Sequence, residues 1–344
     1  MKRLLAVSLT FVLALCLLAG CAGRVVVLYT PEDTTAGETQ PPVTAEGAVK
    51  TGLAVVASAS GTDASAEANG EIKYDVTLVA VLVDDEGVIV DCVIDSIGAS
   101  VNFDAAGQVT SDVTAAVSTK NELGDSYGMV AWGGAVAEWY QQAQALADYA
   151  VGKTLEELRK GAVNESGYAA DADLATSATI YLGGYVNAIE EAVNNARHLG
   201  AQAGDALRLA SINSLESTAD GTAQLDANVT ALTLKDGVIT SCVIDSLQGK
   251  VSFSETGAVT TDLSGNLQTK TQLGDAYGMV AWGGAVAEWY QQAASFAAYA
   301  TGKTLAEVNG IAVTEGGKPA DADLSASVTI AIGDFQKLIT KAAQ

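Results

Sequence analysis

The chain has 344 residues, with 18 Lys+Arg against 41 Asp+Glu, a single His and a formal net charge of −23. Its length allows two domains of ordinary size, and its acidity excludes nucleic acid and anionic membrane surfaces as partners, since phosphates reward Lys and Arg. One His confines any His-based metal or Ser-His-Asp site to a single place, so demanding chemistry would have to arrive with a cofactor.

At the N-terminus Lys2 and Arg3 precede an apolar run, Leu4 to Leu18, which is too short and wrongly flanked for a spanning helix. It ends in Leu18-Ala19-Gly20-Cys21, which resembles the lipobox of bacterial lipoproteins. That resemblance implies a signal peptide over residues 1–20, lipid on Cys21, and a protein anchored to the extracytoplasmic face of the cell membrane. Residues 21–47, with Thr34-Thr35-Ala36-Gly37 and Pro41-Pro42, read as a flexible tether.

A first domain, 48–200, reads as strands followed by helices. Gly52 to Ser60 and Tyr74 to Val83 predict strands, Asp84-Asp85-Glu86-Gly87 a tight turn, and Val88 to Asp95 the antiparallel return. Ala99 to Phe103 and Gln108 to Asp112 predict a further short hairpin. A helix is expected from Gly134 to Ala150, with Val136, Trp139, Tyr140, Ala143, Leu146 and Ala147 on one face. Thr154-Leu-Glu-Glu157 matches a capping box. Ala178 to Leu182 reads as a strand and Tyr185 to Ala196 as a last helix.

The same order returns in a second domain, 201–344. Leu123 to Ala143 recurs as Leu273 to Ala293 with one change, Ser126 to Ala276, at an offset of 150 that also relates Cys92 to Cys242 and Thr179 to Thr329. The fold class expected is α+β: two tandem homologous domains, each a small antiparallel sheet with packed helices. Cys92 and Cys242 read as small buried hydrophobes, Cys92 sharing a strand face with Val88, Val90 and Ile94.

Two segments are candidates for chemistry. All four Trp lie in the duplicated 21-residue stretch. Trp139 and Tyr140 read as helix core. Tyr127-Gly-Met129 and Trp132-Gly-Gly134, with Tyr277, Met279 and Trp282 in the second copy, instead suit a planar ligand, because glycine admits close approach and aromatic or thioether groups face a ring. Lys120 and Lys270 read as solvated charges that could otherwise face a phosphate. The second segment is Asp171-Ala-Asp173-Leu-Ala-Thr176-Ser177-Ala178-Thr179 and its counterpart Asp321-Ala-Asp323-Leu-Ser-Ala-Ser327-Val328-Thr329, read locally as an Asp-led turn entering a strand.

That second segment resembles the Asp-x-x-Ser/Thr-Gly-Ala-Thr attachment motif of covalently flavinylated FMN-binding domains, found in sodium-pumping NADH:quinone reductase, in the Rnf complex and in lipoproteins of extracellular electron transfer. Asp173, Thr176, Ala178 and Thr179 fit it, with Ser177 in place of Gly. The second copy departs further, at Ala326, Ser327 and Val328. The resemblance implies FMN in phosphoester linkage to Thr179 and, less securely, Thr329, attached by a flavin transferase that recognises Asp173 and Asp323. It implies an electron carrier rather than an enzyme with its own substrate pocket, drawing on a membrane NADH dehydrogenase or quinol and delivering to extracellular acceptors. The Gly-to-Ser change in both motifs favours an alternative, a non-redox surface lipoprotein whose flavin sites have decayed. A hydrolase is disfavoured, since no nucleophile-and-base pair stands out.

Overall fold

A computed structural model describes residues 47–218 and 221–344. The signal peptide, Cys21 and the tether up to residue 46 lie outside the described residues. The first repeat comprises strands β1 (Lys50–Thr62), β2 (Gly70–Val83) and β3 (Ile89–Phe103), then helices α1 (Lys120–Leu123), α2 (Met129–Gly133), α3 (Trp139–Ala150), α4 (Leu155–Gly161), α5 (Ala172–Ser177) and α6 (Gly183–Asn195). The second comprises β4 (Ala206–Thr218), β5 (Thr222–Lys235) and β6 (Val238–Ser252), then α7 (Lys270–Leu273), α8 (Trp289–Ala300), α9 (Leu305–Asn309), α10 (Ala322–Ser325) and α11 (Gly333–Ala342). The chain is thus α+β, with two similar units, each a three-stranded antiparallel meander with packed helices.

Side-chain alternation along β2 sets the layering. Ile72, Tyr74, Val76, Leu78, Ala80 and Leu82 face one way and join Ala223, Leu225, Ala227, Val229 and Ala231 of β5 in a core between the two sheets. Val79, Val81 and Val83 face the other way, onto Leu146, Ala147, Ile189 and Ala192 of α3 and α6. In the second repeat Leu232, Ile239 and Ile244 meet Phe296, Leu338 and Ile339 of α8 and α11 in the same manner. Each sheet is therefore buried on both faces over its apolar half, one face by its own helices and one by the other sheet.

The sheet-to-sheet contact is built from equivalent residues. Phe103 stacks on Phe253, ring centroids 4.2 Å apart. Glu122 pairs with Lys341 on one side, and their counterparts Gln272 and Glu191 are hydrogen-bonded on the other at 2.9 Å. Leu267 N–H donates to Ala57 O, while Asn213 Nδ2 donates to Val117 O, the counterpart of Leu267. The Tyr74 hydroxyl donates across the core to Ala223 O at 2.9 Å, and burial raises its pKa far above the ordinary value.

Several boundaries differ from the sequence reading, each for a local reason. The long helix starts at Trp139, not Gly134, because Gly134 at φ +63° closes the short α2 and Glu138 is the N-cap of α3. Val136 is consequently exposed rather than part of the helix core. Residues 99–103 continue β3, and only a single bridge, Phe103 to Val109, follows the turn at Gly107. The Asp-led turn expected after Asp171 is the short helix α5, capped by Asp171 Oδ1 accepting from Asp173 N and Leu174 N, and Ala178–Leu182, expected as a strand, runs as irregular chain. A bulge where Leu82 faces Asp91 and Val83 faces Ile89 shifts the β3 alternation. Ile89, Cys92 and Ile94 therefore face the helices while Val90 packs on the sheet-to-sheet core, so Cys92 and Val90 do not share a face. Both thiols are free and buried, and burial pushes the Cys242 thiol up to about 12. Thr154 and Glu157 form the expected capping box, as do Thr304 and Glu307.

Candidate functional site

The two segments singled out in the sequence meet at the first turns of α3. Glu138 and Gln142 are one helical turn apart and so project from one face, and both are buried. The Glu138 carboxylate accepts Met129 N–H at 2.8 Å and Val130 N–H at 3.0 Å, fixing the start of α2. Gln142 does the same for the other segment. Its Oε1 accepts Thr179 N–H (2.8 Å), Ile180 N–H (3.1 Å) and the Thr179 hydroxyl (3.2 Å), while its Nε2 donates to Ala137 O (2.8 Å). Each group would cost free energy if buried without a partner, so the pair ties α2 and the irregular segment at Thr179 to consecutive turns of one helix.

The second repeat repeats this arrangement. Glu288 accepts Met279 N–H and Val280 N–H, and Gln292 Oε1 accepts the Thr329 amide at 2.8 Å and its hydroxyl at 3.2 Å. The copies differ in exposure. Thr179, Asp173, Thr176 and Ser177 are exposed, whereas Thr329 and Ser327 are half-buried and Asp323 is exposed. In the first copy the Thr176 hydroxyl donates to Asp173 O at 2.7 Å, continuing the α5 turn.

The aromatic candidates separate by position. Met129 and Met279 are half-buried and pack against the helix-layer cores. Trp132 and Trp282 are each 88% exposed, and Val130 and Val136 of the first copy and Val280 and Val286 of the second are exposed in the same segments. Tyr127 is exposed on one face, and on the other it carries Lys120, whose Nζ lies 5.2 Å from the Tyr127 ring centroid and 5.0 Å from that of Trp139. Lys270 sits in the same way over Tyr277 and Trp289. These lysines are half-buried cation–π partners rather than freely solvated charges. Trp139 is buried, its Nε1 donating to the Tyr185 hydroxyl at 3.0 Å.

A further buried acid positions the segment. Asp95 Oδ1 accepts Ser96 N–H (2.7 Å) and Asn121 N–H (3.1 Å), and Asn121 Nδ2 donates back to Ile94 O, so α1 is pinned to β3. Burial raises the Asp95 carboxyl above its ordinary range against the opposing pull of these hydrogen bonds, and Asp245 is shifted in the same direction for the same reason.

Glu138 and Gln142 were not among the residues singled out in the sequence. Their signal was present: two polar residues four apart at the head of an apolar helix face, inside the near-identical segment. Among the described residues there is no cluster of His, Cys, Asp and Glu able to hold a metal ion, and no helix long and apolar enough to cross a membrane. No protein-family model, curated protein or solved structure matches this chain.

Proposed function

We propose that the protein is a membrane-anchored, extracytoplasmic electron carrier holding FMN covalently on Thr179, with Thr329 as a second, less accessible attachment site. The observation that carries this reading is the placement of Thr179. Thr179 is an exposed residue whose amide and hydroxyl are both held by Gln142, so ester formation at Oγ1 gives up one hydrogen bond and leaves the Thr179 and Ile180 N–H bonds to Gln142 intact. Asp173, Thr176 and Ser177 are exposed beside it, which suits access by a separate flavin transferase. FMN, when bound, would supply the one- or two-electron chemistry. The chain's own part is to fix the attachment point through Gln142 and to offer Tyr127 and Trp132 as ring surfaces. Electrons would come from a membrane NADH dehydrogenase or quinol and pass to extracellular acceptors, with Cys21 lipid holding the carrier at the membrane.

Intact-mass measurement of the chain coexpressed with a flavin transferase tests the proposal. The expected gain is one FMN less one water per modified Thr, lost from the first site in Thr179→Ala and from the second in Thr329→Ala, with the first site filled more completely. A chain of unmodified mass would sink it. The exposure of Trp132 and Trp282 favours a second reading, a duplicated non-redox binding module. A coexpressed sample without flavin colour supports that alternative.

A further inference from the structure

We propose that the cleft beside Val55 binds a primary ammonium group on an aliphatic stem, in the place that Lys341 fills with its own side chain in the other half of the molecule. This does not rest on the flavin reading. β1 and β4 are each 13 residues long, and Val55 and Ser211 hold the same sixth place in them. Their partners on the central strands, Leu78 and Val229, both point into the sheet-to-sheet core. The Ser211 carbonyl accepts Lys341 Nζ at 2.6 Å, and the same ammonium pairs with Glu122. A backbone carbonyl and a carboxylate there share one half-buried cation. Around Val55 the chain supplies no such cation, because Glu191 stands where Lys341 does and Gln272 where Glu122 does, each at the offset of 150. Thr51 exchanges N–H···O bonds with Arg197, Leu53 O accepts Asn195 Nδ2 and Ala57 O accepts Leu267 N–H, so alternate residues of β1 turn their peptide groups away from β2. Val55 belongs to that series, and among the described residues nothing outside the sheet is hydrogen-bonded to its N–H or C=O.

The lining of this cleft, about 470 Å³ in volume, defines the ligand. It includes Val55, Val56, Ala57, Leu267, Glu191 and Gln272, and no Lys, Arg or His. Gln272 spends both ends within the protein, its Oε1 accepting Thr269 N–H at 2.9 Å and its Nε2 donating to Glu191 Oε1 at 2.9 Å. Glu191 keeps Oε2 for a ligand and Val55 keeps its carbonyl, so the cleft offers two acceptors, one of them charged. An ammonium group answers both with separate N–H bonds, whereas a hydroxyl donates once and leaves the carboxylate charge unmatched. Val56 and Leu267, both partly buried, give an apolar wall along which methylenes can lie, as a lysine stem does. The net charge of −23 draws cations to the chain and repels anions. The filled half also sets the strength, since an ion pair that water still reaches contributes little, and weak, millimolar binding follows.

Titration of the full chain, produced without a flavin transferase, with butylammonium chloride and amide NMR detection tests the inference. A saturable shift of the Val55 amide is expected, with a Kd of about 1 mM and binding roughly tenfold weaker in Glu191→Gln. Glu191→Lys combined with Gln272→Glu rebuilds the Lys341–Glu122 arrangement in this half. That variant is expected to lose binding with no fall in melting temperature, which separates a filled site from a damaged fold. Butanol lacks the charge and tetramethylammonium the N–H groups, and both are expected to leave the Val55 amide unmoved. Acetyl-lysine amide distinguishes the sources: binding like that of butylammonium assigns the site to lysine side chains of a partner, and its exclusion assigns the site to free amines, each upholding the ammonium site. The inference is overturned if the Val55 amide does not shift saturably, or if Glu191→Gln or the paired variant binds as the parent does. It is equally overturned if potassium or tetramethylammonium competes as well as butylammonium.

Discussion

Gln142 shows how much of the site depends on single polar atoms. Its amide is fully buried and serves two backbone N–H groups, one hydroxyl and one carbonyl. Gln142→Leu keeps the volume but leaves those backbone groups without partners, at about 1–3 kcal/mol for each that water cannot reach. A loss of about 3 kcal/mol in unfolding free energy is expected by denaturant titration, with faster amide exchange at Thr179 and Ile180. Unchanged exchange at those two amides would show that Gln142 does not hold them. Residue types alone singled out Thr179 and Asp173, both of which the structure places at the surface. They could not reveal Gln142, since a glutamine on an apolar helix face is informative only once its long-range partner is known.

At the scale of elements, apolar periodicity and capping signals located α3, α4 and α6 but not the short α1, α2 and α5, and they placed the start of α3 too early. The apolar spacing from Trp139 to Ala150 is real, yet it extends backwards to Val136 by coincidence of period, and only the glycine pair with the Glu138 cap ends it. The Val90 misplacement is similar: strict alternation fails at one bulge, and a single skipped residue exchanges the two faces. The junction of α1 with β3 is a further case, because it depends on the ionisation of a buried acid. Burial lifts the folded-state pKa of Asp95 above its ordinary value of 3.8, so the folded protein binds the proton more tightly than the unfolded chain does. That contribution is full below the unfolded value and is lost as pH rises through the folded one. Asn mimics the protonated form at every pH and keeps an oxygen for Ser96 and Asn121. The melting temperature of Asp95→Asn relative to the parent is therefore expected to improve between about pH 4 and pH 7. A difference that is flat across this range would refute the assignment.

At the scale of the whole molecule, the duplication legible in the sequence acquires a physical meaning it lacked there. The repeats do more than follow one another on a string, because the inner faces of both sheets form one core, with Phe103 on Phe253 and reciprocal polar pairs on either side. Such contacts between equivalent residues have the form of an isologous interface between two copies, here covalently joined. Nothing in a single repeat's sequence distinguishes residues facing its own helices from those facing the other sheet, since both sets are apolar and both alternate. A shared core predicts coupled unfolding. Phe103→Ala and Phe253→Ala should each cost about 3–5 kcal/mol by removing a buried ring, and each should lower the stability of both repeats together. Because the rings touch, the double variant should lose less than the sum of the two. Calorimetry and denaturant titration should show one transition in all of these proteins. Two separated transitions, or strictly additive losses, would mean that each repeat stands on its helix-side core alone.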